Sequence, residues 1–181
     1  MFQSMFFRIQ AVLIFFLFFL GSQALAAEYQ HSVSVNKMDF SWSLAGDQLA
    51  VKISAPTEGW VAIGFNPTSK MKDANILIGS VKKGKVKISD EYGKTAVGHS
   101  SDKKLGGSSD VTVVGGSEEN GKTTLEFTIP LNSGDTKADN VIDPAADTAV
   151  IMAYGAADSF RVGHGKDRVK FMVNLTTGEK K

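Results

Sequence analysis

The sequence contains no cysteine. That excludes disulfides, thiol nucleophiles, iron–sulfur clusters, thiolate zinc sites and the CxxCH attachment of c-type haem, so any cofactor must be held non-covalently. No excess of either charge is present. All 19 acidic residues and every basic residue except Arg8 lie beyond the N-terminal segment, which leaves the remainder close to neutral. A nucleic-acid binder is expected to show a basic face, and none is visible. The hydrolase signatures GxSxG and HExxH are also missing. No segment sustains helical periodicity, and no internal repeat divides the chain.

Only one long apolar run occurs, and it stands at the N-terminus. Arg8 gives a positive start, Ala11 to Gly21 (AVLIFFLFFLG) is apolar, and QALAA supplies small residues for cleavage after Ala26 or Ala27. This three-part pattern is that of a secretory signal. The apolar core falls short of the roughly 20 residues of a membrane span. Residues 1–26 are therefore expected to be a signal peptide and residues 27–181 one exported domain, periplasmic or secreted. Membrane attachment follows only if the signal stays uncleaved.

The rest of the chain alternates apolar and polar residues in short runs rich in Val, Ile, Thr and aromatics. Leu49, Val51 and Ile53 share one face of LAVKIS. In GWVAIGF, Val61, Ile63 and Phe65 fall on one side, with Trp60 and Ala62 on the other. Ala45-Gly46-Asp47, Lys83-Gly84-Lys85 and Glu119-Asn120-Gly121 mark tight turns between such runs. Roughly nine short strands at this spacing predict an all-β antiparallel sandwich or barrel. Longer connections run over 66–73, 93–109 and 132–147, and long loops in compact domains are frequent binding loops; a short piece, 158–167, joins the last two strands.

Two residues in these loops have ligand chemistry. Met71 lies in a polar loop between Lys70 and Lys72, unlike Met38, Met152 and Met172, which sit in strand patterns. It reads either as a lid over the core or as a soft thioether ligand. His164 stands between Gly163 and Gly165, which let the backbone approach a flat ligand; a surface imidazole is the other reading. His31 and His99 read as N-terminal and solvated, respectively. Asp135, Asp139, Asp143 and Asp147 are spaced unlike an EF-hand and read as a solvated acidic loop.

The ordered set FSWSL, GWVAIGF, NPTSKMKDANILIG, VKISDEY, TLEFTIPLNSGD and VIMAYGAADSFRVGHG resembles the DOMON domain, from about Met38 to Leu175. The resemblance implies an immunoglobulin-like sandwich of about ten strands with a ligand pocket at one end. It also implies non-covalent haem b, because the methionine and histidine of the cytochrome members match Met71 and His164. Both axial positions would then be filled, which suits one-electron transfer rather than catalysis. Trp60, Phe65 and Tyr154 are candidates for the apolar walls, and Lys70, Lys72, Arg161 and Lys166 for the propionates. The redox partner implied is a membrane cytochrome or an oxidoreductase. The rival reading is a haem-free module that binds a carbohydrate or another small ligand, with Trp42 or Trp60 as a stacking platform.

Overall fold

The computed structural model describes residues 28–181; the expected signal peptide lies outside them. Eleven strands and one short helix follow in order: β1 His31–Val35, β2 Met38–Ala45, β3 Gln48–Ala55, β4 Val61–Phe65, β5 Asn75–Lys82, β6 Lys85–Thr95, β7 Gly98–Ser101, α1 Asp102–Leu105, β8 Thr112–Glu119, β9 Lys122–Pro130, β10 Asp147–Tyr154 and β11 Arg168–Asn174. They form two antiparallel sheets of a β-sandwich, one ordered β1-β2-β3-β9-β8 and the other β11-β10-β4-β5-β6-β7.

Alternation decides which side chains meet between the sheets. Phe40, Trp42, Val51, Ile53, Leu125 and Phe127 point inward from the five-stranded sheet. Val61, Ile63, Phe65, Leu77, Val150 and Met152 meet them from the six-stranded one. Phe40 stacks on Trp42 at 4.5 Å and meets Phe65 edge-on at 6.2 Å. The Trp42 indole donates to the Leu175 carbonyl at 2.9 Å, so this buried N–H is satisfied. His31 starts β1, with its ring 5.4 Å from Trp42.

The two outer faces differ. The five-stranded sheet turns polar residues outward, for example the Lys52–Glu126 ion pair at 3.3 Å across β3 and β9. An antiparallel sheet with one wet face is expected to alternate in this way. β4 and β5 do not alternate: every residue of Val61–Phe65 is buried, as is Asn75 to Val81. The outer face of the six-stranded sheet is therefore covered.

The polar stretch 93–109, read from sequence as one loop, instead pairs as the β6–β7 hairpin and then turns through α1. Its polar composition hides the pairing, because β7 is an edge strand with little apolar surface to bury.

Candidate functional site

A cavity of about 690 Å3 opens on the covered outer face of the six-stranded sheet. This is a sheet face rather than one end of the sandwich. Its volume is within the roughly 300–1,000 Å3 of small-molecule sites. Strand register builds the floor: Ile151, Gly64 and Ile76 form one row, and Ala153, Ala62 and Ile78 the next. Gly64 has room for no side chain, since a Cβ there would sit 2.9 Å from Ile151 Cγ1 and 3.2 Å from Ile76 Cγ1. Three segments wall the floor: the loop after β4, the β6–β7 turn with Ala96, Val97 and His99, and the β10–β11 connection from Phe160 to His164.

Met71 lines the cavity from the first of these segments. Backbone bonds hold its loop against β6: Asp73 N–H donates to Gly93 O at 2.7 Å, Gly93 N–H to Ala74 O at 2.9 Å, and Met71 N–H to Ala96 O at 3.3 Å. The approach is so close that a Cβ at Gly93 would fall 1.6 Å from Met71 O. The loop is thus a docked element of the sheet edge.

His164 lines the same cavity from the last segment. Its ring meets Trp60 edge-on at 6.3 Å. Trp60 fastens that segment in turn: its Nε1 donates to Val162 O at 2.9 Å and its N–H to Ala157 O at 3.1 Å. Gly155 permits this packing, because a Cβ there would lie 2.4 Å from Trp60 Nε1. His164 Nδ1 is 3.1 Å from Gly165 O. A carbonyl only accepts, so Nδ1 carries the proton in this contact and Nε2 keeps its lone pair.

Structure therefore brings Met71, His164 and Trp60 to one cavity and leaves two predicted wall residues out. Phe65 is fully buried between the sheets, on the same face as Val61 and Ile63. Tyr154 shares the inward parity of Val150 and Met152, packs on the interior core and donates its hydroxyl to Asp167 Oδ1 at 3.1 Å. Alternation explains both: on β4 and β10 the cavity floor is made by the opposite parity, Ala62, Gly64, Ile151 and Ala153, although Ile63 and Met152 also border it. Trp42 is fully buried in the core and offers no stacking platform.

The walls also include residues that sequence reasoning passed over. His99, read as solvated, lines the cavity, and its Nδ1 hydrogen bonds to Glu91 Oε2. Burial raises the Glu91 carboxyl, but the His99 hydrogen bond and charge outweigh it and hold the group below its ordinary value. Of the cations proposed from sequence, Lys70 and Arg161 line the cavity; Arg168 and Lys170 join them, while Lys72 and Lys166 do not take part. No carboxylate belongs to the lining. An apolar floor with four cations around it fits a ligand that has a flat apolar body and anionic substituents. The unbroken apolar runs WVAIGF and ANILIG carried the signal for this floor, since a strand apolar on both faces needs two partners.

The DOMON domain model matches residues 34–155. Among curated proteins, the chain is 28% identical over 150 residues to DBH-like monooxygenase protein 1 of Homo sapiens, covering 81% of this chain and 24% of that protein. For the Mus musculus protein of the same name the identity is 27% over 160 residues, with 84% and 25% covered. The chain thus spans about a quarter of the length of these relatives. Among solved structures, it resembles the cytochrome b domain of pyranose dehydrogenase from Coprinopsis cinerea, with TM-score 0.58, 13% identity and 78% of each chain covered. It also resembles the cytochrome domain of Myriococcum thermophilum cellobiose dehydrogenase, with TM-score 0.59, 10% identity and 80% of each covered. At such identities the likeness is one of fold.

Proposed function

The chain belongs to the DOMON domain family, and on that footing we propose that it holds one haem b non-covalently in the sheet-face cavity and carries single electrons. Met71 and His164 are the axial ligands in this reading. The observation that carries it is their convergence: a thioether and an imidazole from distant loops line one apolar cavity ringed by Lys70, Arg161, Arg168 and Lys170. Haem, when bound, supplies a one-electron ferric/ferrous couple, and methionine ligation raises its potential.

The protein's own residues have separable tasks. Ala62, Gly64, Ile76, Ile78 and Ile151 give a flat, dry floor. The four cations would answer the propionates, and the hydrogen bond from Nδ1 to Gly165 O orients the imidazole so that Nε2 would be its ligating nitrogen. Val97 and Val162, at 75% and 43% exposure, place apolar surface on the walls where a partner can approach.

This reading favours an electron carrier over a catalyst, because ligation by both Met71 and His164 would leave no open position for a substrate. A carbohydrate site is less well matched: four cations and no carboxylate suit an anionic ligand, and Trp60, 4% exposed, leaves little ring face for a sugar to stack on. Export through a cleaved signal to the periplasm or the exterior, and exchange with a membrane cytochrome or an oxidoreductase, complete the proposal. Among the described residues no helix is long and apolar enough to cross a membrane.

Absorption spectroscopy tests the reading. Protein supplied with haem is expected to show a Soret band and a sharp α-band on reduction. His164→Ala should lose haem, whereas Met71→Leu should retain it with an altered spectrum and a lower potential. A colourless wild type, or wild-type spectra from both variants, would overturn the assignment.

A further inference from the structure

A second polar cluster lies on the opposite face of the same sheet from the cavity. Asn75 opposes Phe65 and Tyr92, and Asp90 opposes Leu77; both therefore sit on interior-facing rows. Asp102, the first residue of α1, completes the group. All three are buried, with exposures of 3% for Asn75, 4% for Asp90 and 1% for Asp102. Four of their oxygens have no N–H or hydroxyl donor, Asn75 Oδ1, Asp90 Oδ1 and both carboxylate oxygens of Asp102, and the Asp90 and Asp102 carboxyls lie within hydrogen-bonding reach of each other. Asp139, from the segment between β9 and β10, touches Asn75 Nδ2 through its Oδ1.

Four buried oxygens in one place without such donors cost several kcal/mol if left bare. Two carboxylates that crowd each other add repulsion. Burial, and then the neighbouring Asp90 charge, push Asp102 up to about 9; burial first, with Asp90 and Asp110 nearby, pushes Asp139 up to about 6. No lysine or arginine charge offsets these pressures to a comparable degree. A cation would relieve both the carboxylate repulsion and the want of donors.

We propose that Asn75, Asp90 and Asp102, with Asp139 beside them, form a calcium site inside the sandwich edge. The donors are all hard oxygens, and two of the residues are full carboxylates, which is the chemistry Ca2+ prefers. Carboxylates alone do not make the site. Among the described residues no group of three His, Cys, Asp or Glu side chains is placed to hold a metal ion, so Asp90 and Asp102 need the Asn75 amide oxygen as the third donor, and Asp139 acts only through its contact with Asn75. Magnesium fits less well, because it demands near-ideal octahedral geometry and dehydrates reluctantly, whereas calcium accepts irregular oxygen sets.

The other aspartates of the segment have different employment. Asp135 accepts from the N–H groups of Ser108, Lys137 and Ala138, Asp143 accepts from Ala145 N–H, and Asp147 pairs with Lys181 at 2.7 Å. Only Asp139 of that acidic run joins the cluster. The cation would tie the start of β5, which follows the Met71 loop, to β6, α1 and the 132–143 segment.

The test is a calcium titration of the chelator-treated full chain, followed by thermal melting and by terbium luminescence excited through tyrosine. Calcium is expected to raise the melting temperature by about 4 °C or more, saturating near 10⁻⁴–10⁻³ M, with magnesium giving a smaller shift. Terbium should luminesce, calcium should quench it by competition, and Tyr92→Phe should reduce the signal, since Tyr92 pairs with Asn75. Asp102→Asn should abolish the calcium shift. If that variant does not fold, Asp139→Asn at the less buried margin should weaken calcium binding several-fold. A wild type whose melting and terbium signals ignore millimolar calcium overturns the site and leaves a carboxyl pair sharing a proton. An Asp102→Asn protein that responds like wild type overturns it too. Neither readout depends on haem, so this result stands apart from the Soret test.

Discussion

The hydrogen that Gly93 carries in place of a side chain lets Met71 stand where it does. A methyl group there would overlap the Met71 carbonyl, at 1.6 Å, and the neighbour is backbone rather than the yielding end of a side chain. Gly93→Ala is therefore expected to cost about 1–3 kcal/mol, the usual range for overpacking. It should also displace Met71 from the cavity. Urea unfolding measures the first effect. The second appears as a haem spectrum that moves toward that of Met71→Leu. A variant with wild-type stability and spectrum would show that the loop is not docked on Gly93. Gly155 does the same for His164 at one remove, since it makes room for the Trp60 ring that fastens Val162. Both glycines were legible in the sequence only as letters; their reason is a tertiary contact.

At the scale of elements, β4 and β5 carry the site because they are buried on both faces. Each inward residue fills the sandwich, and each outward one paves the cavity. The β6–β7 hairpin adds a wall whose ionic pair makes acid stability testable. Glu91 is held below its ordinary pKa of 4.5 despite burial, because His99 hydrogen bonds to it. A carboxylate with a depressed folded pKa lends stability that is complete above its unfolded pKa and disappears as pH falls through the folded one. Asp39 on β2 behaves likewise: burial opposes its charge, but Lys122, Ser34 and Ser54 hold it below 3.8. In denaturation midpoints, the Glu91 and Asp39 contributions should be complete above about pH 5 and lost below about pH 4, while the raised Asp102 and Asp139 carboxyls make stability decline as pH rises from there. Glu91→Gln should lower stability at neutral pH by about 1–2 kcal/mol and shallow the acid limb. An unchanged acid limb in that variant would place the sensitivity elsewhere.

At the scale of the whole molecule, two sheets enclose one core and a second, smaller cluster lies outside them. Trp60, Ala62 and Ile78 form it, with Ala153 and Phe160 packed against it. Any ligand that fills the adjoining cavity binds the folded chain alone and so stabilises it. At about 100 times its dissociation constant, a ligand adds about 2.7 kcal/mol. Haem loading should then raise the melting temperature by about 5–10 °C for a domain of this size. The shift should vanish in His164→Ala; if haem stabilises that variant equally, binding occurs elsewhere on the protein.

The sequence by itself determined the all-β class, most strand positions, the turns and the two ligand types in loops. Each of these is local: period-two alternation, glycine at a hairpin, a thioether or imidazole outside any strand. Two decisions belonged to tertiary structure. Alternation tells which residues share a face but not whether that face meets water, so Phe65 and Tyr154 went to the core and Gly64 and Ile151 to the cavity. Charge spacing likewise did not reveal that Asp90, Asp102 and Asp139 meet Asn75, because only the return of distant strands and loops brings those oxygens together.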